Sequence, residues 1–220
     1  MDKAKTLLLV TSHGSASIFP FLFEFTKYWA TRGRQLLYIS KTRIESLPPS
    51  LGETGHPDVE ILKLLQFMYL SSWKDLLYQL ATIRIRGFRV CAIVVDNLAD
   101  YFDDKPEHRS YEDHVSCVCA NLLFAIQTIS KNNPGNVALL CGYVSQNSTI
   151  ERNVIKNFFH NVWEIKSMDD KTLSVVKRTK GKLNEIVSFT YRCEDNFQSD
   201  RDQSNSKMNL IEIIKKVIEE

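Results

Sequence analysis

An α/β fold is predicted, with a mostly parallel central sheet flanked by helices and closed by a C-terminal antiparallel hairpin. Three features of the 220-residue chain point to it. Short apolar runs alternate with stretches of helical periodicity, the order that builds parallel sheets. Runs such as Val90 to Val95 are continuously apolar and rich in β-branched residues, as strands covered on both faces are. Two late runs flank Thr179-Lys180-Gly181-Lys182, a turn bent at glycine.

Thr6 to Thr11 reads as a buried strand entering the loop Ser12-His13-Gly14-Ser15-Ala16-Ser17. Pro20 suits the first turn of a helix, where its missing N–H is not needed. That helix is apolar nearly all round, through Phe21, Phe25, Tyr28 and Trp29, and Arg32-Gly33-Arg34 stops it. Leu36 to Ile39 reads as the second strand, Glu45 to Asp58 as a loop and Leu64 to Tyr69 as the third strand. Trp73, Leu76, Leu77 and Leu80 recur at helical spacing behind Ser71 or Ser72 as N-cap. Val90 to Val95 is the clearest core strand, Asp100 to Asp113 an acidic loop, and Val115 to Ile126 the stripe of a long helix. Val137 to Cys141 is a strand and Asn153 to Phe159 a helix. Val162 to Lys166, Thr172 to Lys177 and Ile186 to Tyr191 close the sheet. Residues 1–193 form the core domain, 194–206 a polar linker and 207–220 a C-terminal helix.

With 44% hydrophobic and 25% charged residues, the composition excludes disorder, and no apolar run reaches the ~20 residues of a membrane span. The first apolar run is too short for a signal peptide, so secretion is not expected. Five cysteines at irregular spacing argue for a reducing compartment. A net charge of +2 announces no nucleic-acid binder, so any such site is a local patch. Cys117 and Cys119 have the wrong spacing for a zinc pair. His108 and His114, among Asp103, Asp104 and Asp113, read as a solvated acidic segment, and no metal site is expected.

Ligands of open α/β sheets sit beyond the carboxyl ends of the strands, which points to the loop after the first strand. A phosphate-binding P-loop needs glycines, a lysine for the phosphates and a hydroxyl for magnesium. Gly14 is present, but Ser17 stands at the lysine position and Ile18 at the hydroxyl position. Gly14, Ser15 and Ser17, with Asp96 at the end of the core strand, therefore make at most a degenerate nucleotide site. A tight bend without a ligand is the simpler reading. ATP with magnesium is at best a weak ligand, and no cofactor is expected.

Leu7-Leu8-Leu9-Val10 with its bend, Leu36-Leu37-Tyr38-Ile39-Ser40 and Ala92 to Leu98 follow one another in the order of RecA-type recombinases. More narrowly, Leu37 to Thr42 with Ser46-Leu47-Pro48, Leu64 to Tyr69, and Ile93 to Asp104 resemble the small recombinase paralogues of the metazoan Shu complex. The resemblance covers about residues 6–165 as spaced patches. It implies a RecA-like P-loop NTPase core in the nucleus, paired with a SWIM-domain zinc protein. Such a core binds single-stranded DNA and supports the recombinase filament in homologous recombination repair. The recombinase catalytic glutamate falls here on Thr42. With lysine, hydroxyl and glutamate lost, negligible hydrolysis is expected, because phosphoryl transfer works by positioning and electrostatics. The rival reading is a nucleotide- or flavin-binding enzyme, with weak residual ATPase or a flavodoxin-like phosphate loop at Thr11 to Ser17.

Lys177, Arg178, Lys180 and Lys182 surround the hairpin turn and would suit a phosphate backbone, as would Arg152 and Lys156 after the strand ending near Cys141. A charged, solubilising hairpin is an equal reading. Phe21, Phe25, Tyr28 and Trp29 are the partner-interface candidates, since contiguous exposed apolar surface marks protein contacts; a core role is their alternative.

Overall fold

The computed structural model describes residues 5–12, 18–48, 57–83, 90–132, 137–145, 149–159, 161–167, 172–179 and 182–190. In chain order the elements are β1 (Thr6–Ser12), α1 (Phe19–Ala30), β2 (Leu36–Ser40), α2 (Val59–Leu62), β3 (Leu65–Tyr69), α3 (Trp73–Thr82) and β4 (Ala92–Val95). A 3₁₀ turn (Leu98–Tyr101) leads to α4 (Tyr111–Asn132), β5 (Ala138–Ser145), α5 (Thr149–Phe158), β6 (Val162–Ser167), β7 (Thr172–Thr179) and β8 (Lys182–Thr190). The eight strands form one sheet in the order β3-β2-β4-β5-β1-β6-β7-β8. Strands β3 to β6 in that order are parallel, and β7 and β8 add on antiparallel. The expected α/β class, with its mostly parallel sheet and closing hairpin, is the observed one.

Two apolar layers sandwich the sheet. Leu37, Ile39, Ile93 and Val95 belong to the layer shared with α3, α4 and α5, while Tyr38, Val94, Leu7 and Leu9 belong to the layer beneath α1. The alternation along β2 and β4 is therefore between two buried faces, which is why these runs lack polar positions. Ser72 caps α3, its hydroxyl accepting from the Asp75 N–H at 3.2 Å, and Ser110 does the same for Asp113 at 3.1 Å before α4. Gly33, at φ +71°, takes the left-handed conformation that lets the chain leave α1.

Several local expectations are corrected. Strands β7 and β8 run to Thr179 and from Lys182, longer than their apolar cores suggested, because cross-strand pairing carries them through polar residues. The acidic loop begins with the 3₁₀ turn, and α2 occupies part of a segment with no clear periodicity. Phe21 and Phe25, each 3% exposed, lie in the layer between α1 and the sheet, which is their core alternative and not an exposed interface. Tyr28 and Trp29 are half-buried. His114, expected in a solvated segment, is fully buried in edge-on contact with Trp73 at 5.2 Å. Residues 13–17, 49–56, 84–89, 133–136, 146–148, 160, 168–171, 180–181 and 191–220 lie outside the described ones, so the linker and the C-terminal segment are not described.

Candidate functional site

Pairing of β2 with β4 places Ile39 opposite Val95, so the residues that end the two strands, Ser40 and Asp96, are neighbours. The Asp96 N–H donates to the Ile39 carbonyl at 2.8 Å. Tyr38 and Ser40, two residues apart on β2, share one face, and both reach the Asp96 carboxylate. The Tyr38 hydroxyl donates to Oδ1 at 2.9 Å and the Ser40 hydroxyl to Oδ2 at 3.1 Å. The Tyr38 ring packs between Phe19 of α1, at 5.9 Å, and Phe67 of β3, at 5.6 Å. Burial pushes the Asp96 carboxyl up, against the downward pull of the two hydroxyls. Burial, with the charge of Asp96 beside it, pushes the Tyr38 phenol far above its ordinary range, so it stays a donor.

A second set of bonds fixes the chain beyond Asp96. Asn97 Oδ1 accepts from the Val144 N–H at 3.0 Å, tying the end of β4 to the end of β5, and from the Ala99 N–H at 3.3 Å. Its Nδ2 donates to Asp100 Oδ1 at 2.7 Å, and Lys41 Nζ donates to the Asp100 carbonyl at 3.0 Å. Burial raises the Asp100 carboxyl, while Lys41 and Asn97 oppose it. Gly142 lets β5 pass close to this corner: a Cβ there would overlap the Asp96 carbonyl oxygen and come within 2.9 Å of Leu22 Cδ1.

The described residues at the expected nucleotide positions offer few groups to magnesium–ATP. Ile18, at the place of the magnesium hydroxyl, is 5% exposed in the apolar layer under α1, and as N-cap it offers the helix no side-chain hydrogen bond. Thr42, at the glutamate position, is exposed and brings no carboxylate, and Lys41 is bonded to the Asp100 carbonyl. Of the residues expected at the nucleotide site, Asp96 is the described one with a carboxylate, and each of its oxygens accepts from β2. Gly14, Ser15 and Ser17 lie outside the described residues. The flavodoxin-like alternative is corrected by the sheet itself. That fold has β1 next to β2 in the order 2-1-3-4-5, whereas β1 here lies between β5 and β6.

The candidate DNA-contacting residues fall at different places. Lys177 and Arg178 end β7 and Lys182 begins β8, where a register shift follows Val176. Arg178 pairs with Val162, the first residue of β6, so this end of β7 lies at the amino end of the parallel strands, opposite the end that carries Asp96. Arg152 is on the first half of α5 and Lys156, half-buried, on the second. Since α5 runs back from the carboxyl end of β5 to the start of β6, Lys156 is at the amino end of the parallel strands and Arg152 nearer the other. Lys180 lies outside the described residues. Among the described residues no cluster of three or more His, Cys, Asp and Glu could hold a metal, and no helix is long and apolar enough to cross a membrane. Cys119 is buried, its thiol pushed up to about 12 by desolvation, as expected of a core residue.

Sequence reasoning singles out Asp96, with Asn97 as its turn partner, but not Tyr38, Ser40 or Gly142. A polar side chain at the end of an apolar strand, as at Ser40, is the only local signal.

The sheet order and the placement of Asp96 define a RecA-like core, and comparison with solved structures gives the same class. The chain is similar in fold to a DnaB-like replicative helicase described with its primase interactions, with a TM-score of 0.57, 9% identity, and coverage of 87% of this chain and 58% of that one. It is similar to a second solved structure, described as an ATPase domain, with a TM-score of 0.53, 10% identity, and coverage of 85% and 81%. It is similar to the RadB recombinase, with a TM-score of 0.55, 12% identity, and coverage of 83% and 86%. The chain thus spans little over half of the helicase but most of the two shorter proteins. At these identities the likeness is one of fold. No protein-family model matches the chain, and no curated protein matches it.

Proposed function

We propose that this chain is a non-hydrolysing RecA-like module of homologous recombination repair in the nucleus. In this reading it pairs with a SWIM-domain zinc protein, binds single-stranded DNA and supports a RecA-type recombinase filament. The observation that carries the reading is the pairing of a RecA-like sheet with a disarmed nucleotide corner, where Asp96 is bonded to Tyr38 and Ser40 and Ile18 is buried where a hydroxyl would serve magnesium. The resemblance to the Shu-complex paralogues supplies the partner and the pathway. The basic hairpin, with Lys177, Arg178, Lys180 and Lys182, supplies the DNA contact.

The test is co-purification with the SWIM-domain protein, followed by fluorescence anisotropy of a labelled single strand at a series of salt concentrations. A stable pair with salt-sensitive binding is expected. Lys177→Ala with Arg178→Ala should flatten the salt slope by about 0.7 for each phosphate no longer neutralised. An unchanged slope removes the hairpin from the DNA site. Failure of both pairing and binding overturns the whole reading.

A further inference from the structure

Helix α4 carries an outer face that neither the Asp96 corner nor the basic residues use. Val118, Leu122 and Ile126 are fully buried in the layer on the sheet, so Ala120 and Phe124, two positions away, face outward, and Phe124 is 69% exposed. From Val115 to Ser130 the helix has no Asp, Glu, Lys or Arg. The solvent side of a surface helix normally carries charge, and its loss around an exposed aromatic is the composition of an interface centre. Asn121 and Thr128, also exposed, turn back to the Cys117 and Phe124 carbonyls, each at 2.8 Å. On the neighbouring α3, Tyr78 is 63% exposed between the buried Leu76 and Leu80, which adds a second aromatic to the outside of the same layer.

The pattern along that face says what covers it. Asp113, Cys117, Ala120, Phe124, Gln127 and Lys131 recur at alternating intervals of four and three, the seam spacing of helices that pack lengthwise. Cys117 is half-buried and the other five are exposed. The stripe is acidic at its amino end, basic at its carboxyl end and uncharged between, so it complements its own reverse. Antiparallel pairing of two copies, centred at Leu122, sets Asp113 against Lys131, Cys117 against Gln127, and the Phe124 ring against the small Ala120. Each contact then occurs twice, as in any two-fold interface. The same order brings opposite helix-dipole ends together. Parallel pairing would set acid on acid, lysine on lysine and ring on ring.

We propose that the outer face of α4 is the contact between two copies of this chain. The helices cross antiparallel about a two-fold axis near Leu122, with Phe124 of each copy over Ala120 of the other and Asp113 of each beside Lys131 of the other. Tyr78 of α3 flanks the seam. This assignment rests on α4 and α3, independently of the DNA and partner reading above.

The test measures the mass of the full chain by light scattering, alone and with any co-purified partner, over a dilution series of about a hundredfold. The mass should rise from one chain to two with concentration, and Phe124→Asp should move the midpoint to at least about tenfold higher concentration. In parallel, Gln127→Cys is oxidised with diamide and the products are mapped by mass spectrometry. A disulfide from position 127 of one copy to Cys117 of the other is expected. Within one chain the two positions are about 15 Å apart along the helix, too far to bridge. A chain that stays monomeric throughout, a midpoint unmoved by Phe124→Asp, or a variant that links 127 to 127 or gives no link to Cys117 overturns the proposal. Release of a different protein by Phe124→Asp, while the chain alone stays monomeric, gives the face to that protein and overturns it as well.

Discussion

The carboxyl end of β4 and the start of α1 are two halves of what a P-loop fold uses as one site, and they have been treated differently. At β4 the polar residues remain but bond to one another: Asp96 to Tyr38 and Ser40, Asn97 to Val144 and Asp100. At the start of α1 the described residue Ile18 is apolar and packed in the core. A buried acid is tolerated where the fold supplies the donors that a cation or water would otherwise supply. Here those donors are the two hydroxyls of β2, and Gly142 lets β5 close on the same corner.

If closure is what the corner does, the largest effect should come from breaking it sterically. Gly142→Val would force a side chain into the Asp96 carbonyl and Leu22, both fixed by the sheet and by α1. Backbone cannot retreat as a flexible side chain can, so a loss of more than about 3 kcal/mol is expected, read as a fall in the urea midpoint. A midpoint within error of the parent would mean that β5 and β4 are not so closely apposed.

A smaller effect sharpens the comparison by asking whom Asp96 serves. Tyr38→Phe or Ser40→Ala leaves a half-buried carboxylate short of one donor and should each cost about 1.5–3 kcal/mol. Because burial outweighs the hydroxyls and raises the Asp96 carboxyl, its charge is held at a cost near neutral pH. Asp96→Asn should therefore be neutral or stabilising, and Tyr38→Phe should cost clearly less in that background. A double-mutant cycle by denaturant unfolding measures the coupling. Additive effects would show that the hydroxyls act independently of the carboxylate, and the wiring account of the corner would fail.

How much of this is legible in the sequence follows the range of the interactions. Strand β4 and its terminal Asp96 are visible because a continuous β-branched run ending in an acid is a local pattern. The hairpin is visible from its turn, although its strands extend through Lys177, Arg178 and Lys182 where only pairing could carry them. Tyr38 and Ser40 read only as strand residues, since their link to Asp96 spans more than fifty positions and depends on β2 lying next to β4. Phe21 and Phe25 can be read either as interface or as core, because an all-round apolar helix looks the same whether a partner or its own chain covers it. His114 misleads for the opposite reason. Its acidic neighbours Asp103, Asp104 and Asp113 are exposed, and their character does not extend to a residue that turns inward.

His114 also extends the comparison to a buried polar group that lacks Asp96's set of donors, and it gives the smallest expected effect. Burial lowers its basicity, partly offset by the Tyr101 carbonyl and Asp104, and opposed to Asp104 are the cations Arg109 and Lys105. The folded protein thus holds the imidazole neutral, while the unfolded chain takes a proton near the ordinary value of 6.5. Below that value the unfolded state binds more protons, so the stability this residue allows is fully present above pH 6.5 and is lost progressively as pH falls toward the lowered folded value. Thermal unfolding from about pH 7.5 to about pH 5.5 should show a decline in Tm that His114→Phe reduces. Equal slopes in parent and His114→Phe would mean that the ring is protonated as readily inside the fold as outside it, and burial of His114 against Trp73 would then carry no electrostatic penalty.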